Sequence, residues 1–457
     1  MFNAQKDFNF KEETKMLVLT KNQESDLVNE IVSLLNVDLE DLNGPVTKLN
    51  TLNKLKTKYV AFVDEDHLND ETKKDAAYKA MADVKEDAIL LLDTFKKETI
   101  TELFEGLTKA TYRFNKFKSE DCSNTINIAY TDKKEYAEAI HEGIVLGEAI
   151  NHTRELINTP YNYLNAEKLA EYAKALETID NVKVTVYEKS DCEAMNMGAY
   201  LGVNKGSTDA PKLIHIEYMG NPDSKEITAL VGKGVMYDTG GYSLKGVQNM
   251  PSMKMDMGGS ATVLGAIEAA TRLKVKANIH VVIAATDNRI GDYAIVPDDI
   301  LTSAKGLTIE IISTDAEGRL TLADALWFAQ EKGATRLIDV ATLTGAVVGA
   351  LGKTYTGAFT NNETFLNELM ETAKTNKERL WQLPIHQDHH DDLKSFSADI
   401  KNSSGSRLAG SSVAAAFLQK FVDDDRAWVH LDIAGTAYES KSGGTGVLVK
   451  TLTNLFK

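Results

Sequence analysis

Leu230-Val231-Gly232-Lys233-Gly234-Val235-Met236-Tyr237-Asp238-Thr239-Gly240-Gly241 decides the fold. The apolar run Ile227–Val231 reads as a strand covered on both faces, and the glycines that follow read as its end. Further β-rich segments are expected at Val182–Tyr187, Leu213–Tyr218, Ile279–Ala285, Thr308–Ile312, Leu337–Ala341 and Trp428–Ile433. Helical spacing lies between several of them, at Ala166–Leu176, Ala261–Leu273, Leu322–Lys332, Glu363–Lys377 and Val413–Phe421. Alternation of this kind predicts an α/β sandwich. In open α/β sheets ligands bind beyond the carboxyl ends of strands, which is where this reading puts Lys233 and Asp238.

Upstream the texture changes. Residues 1–150 are lysine-rich, with a helical stretch at Glu65–Lys97 and strand-like runs at Met16–Leu19, Tyr59–Val63 and Thr125–Tyr130. Tyr136–Ile157 reads as one long helix, stopped at Asn158-Thr159-Pro160 because a proline disfavours helix in the residue before it. The expected division is an N-terminal α/β domain (1–150), the end of a connecting helix (151–160) and a catalytic domain (161–457).

The chemistry concentrates downstream of Leu230. Met253-Lys254-Met255-Asp256-Met257-Gly258-Gly259 opens a small-residue helix, and Ser313-Thr314-Asp315-Ala316-Glu317-Gly318-Arg319 follows a strand. Asp238, Asp256, Asp315 and Glu317 would then share one crevice with Lys233, Lys245 and Arg319. Four carboxylates raise one another's pKa unless cations neutralise them, and two divalent ions balance four negative charges. Oxygen ligands without cysteine or histidine suit Mn²⁺, Mg²⁺ or Zn²⁺. Asp315 and Glu317, two apart, would face the same way on an extended backbone.

Blander readings stand beside these. Asp256 can be a helix N-terminal carboxylate, and Asp315–Arg319 a salt-bridged turn. The Gly232–Gly241 loop fits neither dinucleotide nor P-loop spacing. His386-Gln-Asp-His389-His390-Asp-Asp392 reads as a solvated helix start, and His430 as a hydrogen-bonded core or interface histidine. No Gly-x-Ser-x-Gly elbow is present.

Composition narrows the classes. At 457 residues and 43% hydrophobic content the chain can build two or three domains. Fifty-one basic against sixty-seven acidic residues leave a net charge of −16, which repels phosphate backbones and argues against nucleic acid as a partner. No apolar run approaches the ~18 residues that span a bilayer, and Met1–Asn9 lacks a signal-like pattern. Cys122 and Cys192, each beside an aspartate, cannot make a disulfide framework. The expectation is a reduced, cytoplasmic protein with no membrane partner.

Together these segments resemble the leucyl aminopeptidases, or cytosol aminopeptidases, of peptidase family M17. The resemblance spans Asn151–Lys457 and adds Asp339–Ala346, Ala398–Asn402 and His430–Thr436 to the motifs above. The family's Asn-Thr-Asp-Ala-Glu-Gly-Arg-Leu signature is altered only at Ser313. A proline usual after the catalytic lysine is Gly246 here. The resemblance implies a smaller N-terminal macro-like α/β domain joined by a helix to a larger α/β sandwich catalytic domain. It implies that Lys233, Asp238, Asp256 and Glu317 bind one metal, that Asp238, Asp315 and Glu317 bind the other, and that Lys245 and Arg319 are catalytic. It further implies two divalent ions per subunit (Mn²⁺ or Zn²⁺) activating a hydroxide, bicarbonate at Arg319, and a homohexamer built as a dimer of trimers. The substrates would be peptides with N-terminal leucine or another apolar residue. A Cys-Gly-type dipeptidase of the same fold, or a non-catalytic DNA-binding hexamer, are the alternatives.

Overall fold

The computed structural model describes every residue except 1, 7, 13–14, 70–73, 83–86, 120–127 and 407. The chain divides into two compact units, Met1–Glu148 and Ala149–Lys457.

The first unit is built on a six-stranded mixed sheet. Its spatial order is Phe2–Gln5, Ile128–Thr131, Ala88–Leu90, Met16–Thr20, Tyr59–Val63, Val46–Asn50. Met16–Thr20 is buried on both faces, and its side chains divide between two apolar clusters. The helical stretch expected over Glu65–Lys97 is not continuous: helices Glu65–Asn69 and Lys74–Ala82 are followed by the strand Ala88–Leu90. Ala88-Ile89-Leu90 is wholly buried between two neighbouring strands, and its pairing overrides local helical spacing. Cys122 and the first part of the strand expected at 125–130 lie outside the described residues.

The second unit carries an eight-stranded mixed sheet. In spatial order its strands are Leu380–Gln382, Thr356–Thr360, Ala427–Asp432, Arg336–Ala341, Thr228–Asp238, Asn278–Asn288, Lys212–Met219 and Val182–Tyr187. The four strands from Ala427–Asp432 to Asn278–Asn288 run parallel, and the neighbours on each side run antiparallel to them. Helices cover both faces. On one, Leu230 and Val281 meet Leu169, Val263, Ile267 and Leu366. On the other, Ala229, Val231 and Val282 meet Val203, Leu322, Leu326 and Phe417. This is why the central strands read as continuous apolar runs rather than alternating ones.

Two elements differ from the sequence reading. The strand that begins at Thr228 does not end at Val231 but continues to Asp238, so Lys233 sits inside the sheet. Its glycines permit close approach rather than a turn: a Cβ at Gly232 would stand 2.6 Å from Ser260 Cα. The strand expected at Thr308–Ile312 is only Thr308–Glu310, in a small three-stranded sheet with Ile300–Thr302 and Ile400–Lys401. Asp315 and Glu317 therefore lie in a turn and at a helix N-terminus, not on extended backbone. No helix among the described residues is long and apolar enough to cross a membrane.

Candidate active site and metal centre

Lys233 is the anomaly in the sheet. It is 2% exposed on a strand of buried apolar neighbours. A buried ammonium is costly unless charges and hydrogen bonds surround it. Its Nζ lies 2.7 Å from Asp256 Oδ2 and 3.1 Å from Glu317 Oε1, and donates to the Thr342 carbonyl at 2.9 Å. Burial alone would pull its pKa down, but Asp256 and Glu317 outweigh that and push it above the ordinary lysine range. Gly318 makes room for the side chain, since a Cβ there would fall 2.3 Å from Lys233 Cε.

Asp238 ends the same strand. Its Oδ1 accepts from Gly240 N and Asn288 Nδ2, both at 2.8 Å. Its Oδ2 faces Lys245 Nζ at 2.7 Å, and the same ammonium reaches Asp315 Oδ1 at 2.5 Å. The backbone must fold back sharply to bring Lys245 there. Gly240 has φ +85°, and a Cβ on it would stand 2.8 Å from Asp315 Oδ1, so only glycine turns the chain this close to the carboxylate.

The Asp315–Glu317 turn is held from outside. Asn402 follows the strand Ile400–Lys401, accepts from Ile312 N (2.8 Å) and Ser313 N (3.3 Å), and donates to Ser313 O (2.7 Å). Thr314 Oγ1 donates to Gly240 O at 2.6 Å, joining this turn to the Gly240 turn. Glu317 occupies the N-cap position of the helix Gly318–Glu331, where the helix dipole favours a negative charge. Asp256 lies in a one-turn helix, Met253–Met257, ahead of the helix Gly258–Arg272. It does not cap that helix: its Oδ1 accepts from Thr342 Oγ1 at 3.0 Å and its Oδ2 faces Lys233.

All four carboxylates thus converge around two lysines. Ligand oxygens of Asp238, Asp315 and Glu317 lie within 4.8 Å of one another. Asp256 joins through Lys233 rather than directly. Burial, followed by the charge of Glu317, pushes Asp238 up to about 6 and raises Asp315. Burial also lifts Asp256 well above the usual carboxylate range, against the pull of Lys233. Burial would raise Glu317 too, but Lys233 and Lys245 together hold it below that range. Carboxylates forced upward by burial and by each other are short of positive charge, which divalent cations supply. Glu317 Oε2 is buried with no hydrogen-bond partner, an oxygen free to ligate.

Arg319 stands apart from these ion pairs. It is 8% exposed, its NH1 donates to Asn402 O at 2.7 Å, and its Nε has no partner. Burial brings its pKa down to about 10.

Asn288, Thr342 and Asn402 escaped the sequence reading as organisers of the site. Asn288 meets Asp238 through strand register, which a single sequence does not specify. Asn402 lay in a quoted motif, but its spacing from Asp315 gave no hint of contact. The His386–His390 tract and His430 are as expected. His386 caps the short exposed helix Gln387–Asp391. His430 is fully buried, with Nδ1 2.5 Å from Asp339 Oδ1.

A mixed α/β unit with carboxylates converging beside central strands defines a class of candidate metal-binding proteins. Residues 151–453 match the catalytic domain of the cytosol aminopeptidase family. The whole chain resembles the solved structure of a mutant of leucine aminopeptidase from tomato, with a TM-score of 0.86 and 30% identity, covering 100% of this chain and 96% of that one. The chain belongs to the cytosol aminopeptidase family: it is a metal-dependent aminopeptidase.

Proposed function

We propose that this chain removes N-terminal leucine and other apolar residues from short peptides, using two divalent cations, Mn²⁺ or Zn²⁺, held by the converging carboxylates. The observation that carries this reading is the approach of Asp238, Asp315 and Glu317 to within 4.8 Å, with Lys233 joining Asp256 to the group. Lys233, Asp238, Asp256 and Glu317 would hold one ion, and Asp238, Asp315 and Glu317 the other. Two such ions supply Lewis acidity toward a peptide carbonyl and lower the pKa of water.

The remaining steps belong to the chain's own groups. Lys233 must release its proton before its amine can ligate, because among the carboxylates it is held as an ammonium. Lys245 would give its ammonium to the carbonyl oxygen as negative charge develops there. Arg319 would hold a bicarbonate, the proton carrier implied by the resemblance. Its unpartnered, buried Nε is a donor suited to such an anion. Catalysis is assigned to residues 161–457, with residues 1–150 as a separate domain and 151–160 as the linker.

EDTA treatment is expected to abolish hydrolysis of a leucine anilide, and Mn²⁺ or Zn²⁺ to restore it. Full activity in a sample shown to be metal-free would sink the proposal. The same reading makes the protein a cytoplasmic homohexamer of two stacked trimers, whose interior would admit peptides and exclude folded proteins. Sedimentation is expected to give a hexamer, and a stable, fully active monomer of 50.2 kDa would contradict it.

A further inference from the structure

The eight-stranded sheet carries a second group of metal-ligating side chains. His215 and Glu217 are two apart on the strand Lys212–Met219, so they face the same side. Register puts His280, on the strand Asn278–Asn288, directly opposite Glu217. Their same-face neighbours Leu213 and Val282 belong to the apolar cluster that includes Phe328. This is a costly place for imidazoles, since His215 is 2% and His280 3% exposed.

The geometry resembles a ligand set more than a hydrogen-bonded pair. His215 Nε2 and His280 Nδ1 are 3.3 Å apart, and one ligand atom each from His215, Glu217 and His280 lie within 4.8 Å of one another. Two nitrogens at the usual distance from a tetrahedral zinc ion stand roughly 3.4 Å apart. Phe328 packs edge-on against the His215 ring, with centroids 5.5 Å apart, and fixes its plane. Burial first, and for His215 the neighbouring His280 second, hold both imidazoles below their usual pKa, His215 at about 4.

Opposing charges are present. Lys183, on the edge strand, reaches Glu217 at 2.7 Å, and Lys332 lies over the rings of Tyr187 and Phe328. The Lys183 side chain is 70% exposed, so it can leave Glu217 for solvent at little cost. The group is also distinct from the catalytic centre. Lys233 pairs with Ala284, four residues along the strand from His280, which is roughly 13 Å.

We propose that His215, Glu217 and His280 form a further metal site in the Ala149–Lys457 unit, taking Zn²⁺ or a similar imidazole-preferring divalent ion, with water completing the shell on the part-exposed Glu217 side. Two imidazoles and one carboxylate select this class of ion, whereas the oxygen-rich catalytic centre accepts harder ones. An ion there clasps two antiparallel strands.

The test is equilibrium dialysis of the untagged full chain against micromolar Zn²⁺, with zinc per chain read by mass spectrometry. Wild type is expected to hold one more zinc than Glu217→Gln or His280→Gln, whatever number the catalytic centre binds. Lys183→Ala is expected to keep that zinc, and so is His389→Gln, which controls for the exposed histidine tract. Leucine anilide hydrolysis by Glu217→Gln should match wild type. Should His280→Gln fail to fold, Glu217→Gln decides alone, because its carboxylate lies at the surface side of the group. Equal zinc content in wild type and folded Glu217→Gln overturns the site.

Discussion

Glu317→Gln is expected to reduce leucine anilide hydrolysis to background and to lower the bound metal content. Glu317 is 2% exposed, with Oε1 3.1 Å from Lys233 and Oε2 unpartnered. In the proposed arrangement it is one of two carboxylates shared by both ions, so its loss weakens both. Glutamine keeps the shape and removes that charge. It also turns either an amide NH₂ or a weaker acceptor toward Lys233, leaving that ammonium with Asp256 as its only close carboxylate. Removing one partner of a buried ion pair typically costs about 3–5 kcal/mol, so a lower melting temperature should accompany the loss. Metal analysis, a melting curve and kcat on the same preparation check this together. A folded variant with two ions and wild-type kcat would remove Glu317 from the site.

The second large effect separates catalysis from ligation. Lys245→Ala leaves every proposed ligand in place and removes a donor aimed at developing negative charge. Loss of one such donor typically lowers kcat by roughly 10²–10³. Lys245 also neutralises Asp238 and Asp315 at 2.7 and 2.5 Å, and without it those carboxylates have more charge to offer a cation. Metal occupancy should therefore stay near normal while turnover collapses. Asp256→Ala, which deletes a ligand of one ion only, should instead show reduced occupancy. Should Lys245→Ala lose metal as readily as Asp256→Ala, or retain normal kcat, the catalytic role assigned to Lys245 is wrong.

What could be read from the sequence was set by period and chemistry. Ile279–Ala285 and Val182–Tyr187 were legible because runs of β-branched residues admit few alternatives. The helix at Ala261 was legible from its small apolar residues, although it begins three residues earlier, at Gly258. Thr356–Thr360 was not legible: Gly357-Ala358 interrupts its strand-favouring Thr and Phe residues, and pairing on both sides makes it a strand. The seven candidate residues were visible as residue types near predicted element ends. Their partners were not, because the Asp238–Asn288 and Ser313–Asn402 contacts depend on register between distant segments. The glycines around Lys233 misled for a related reason, since they mark close packing and a single sequence shows no neighbours.

The placement of Lys233 within the strand, rather than on a loop beyond it, governs how the centre can come apart. Thr228–Gly232 is flanked on both sides by parallel strands, and from Lys233 onward the pairing continues on one side only, with Asn278–Asn288. Amides in the doubly paired part are expected to exchange with solvent through opening of the whole cooperative unit, whereas the exposed connection Gly246–Gln248 is expected to open locally. Lys233 and Asp238 thus continue a strand anchored in the doubly paired centre of the sheet, whereas Lys245 adjoins an exposed connection. Opening of that connection is expected to release Lys245 more readily than it displaces Asp238.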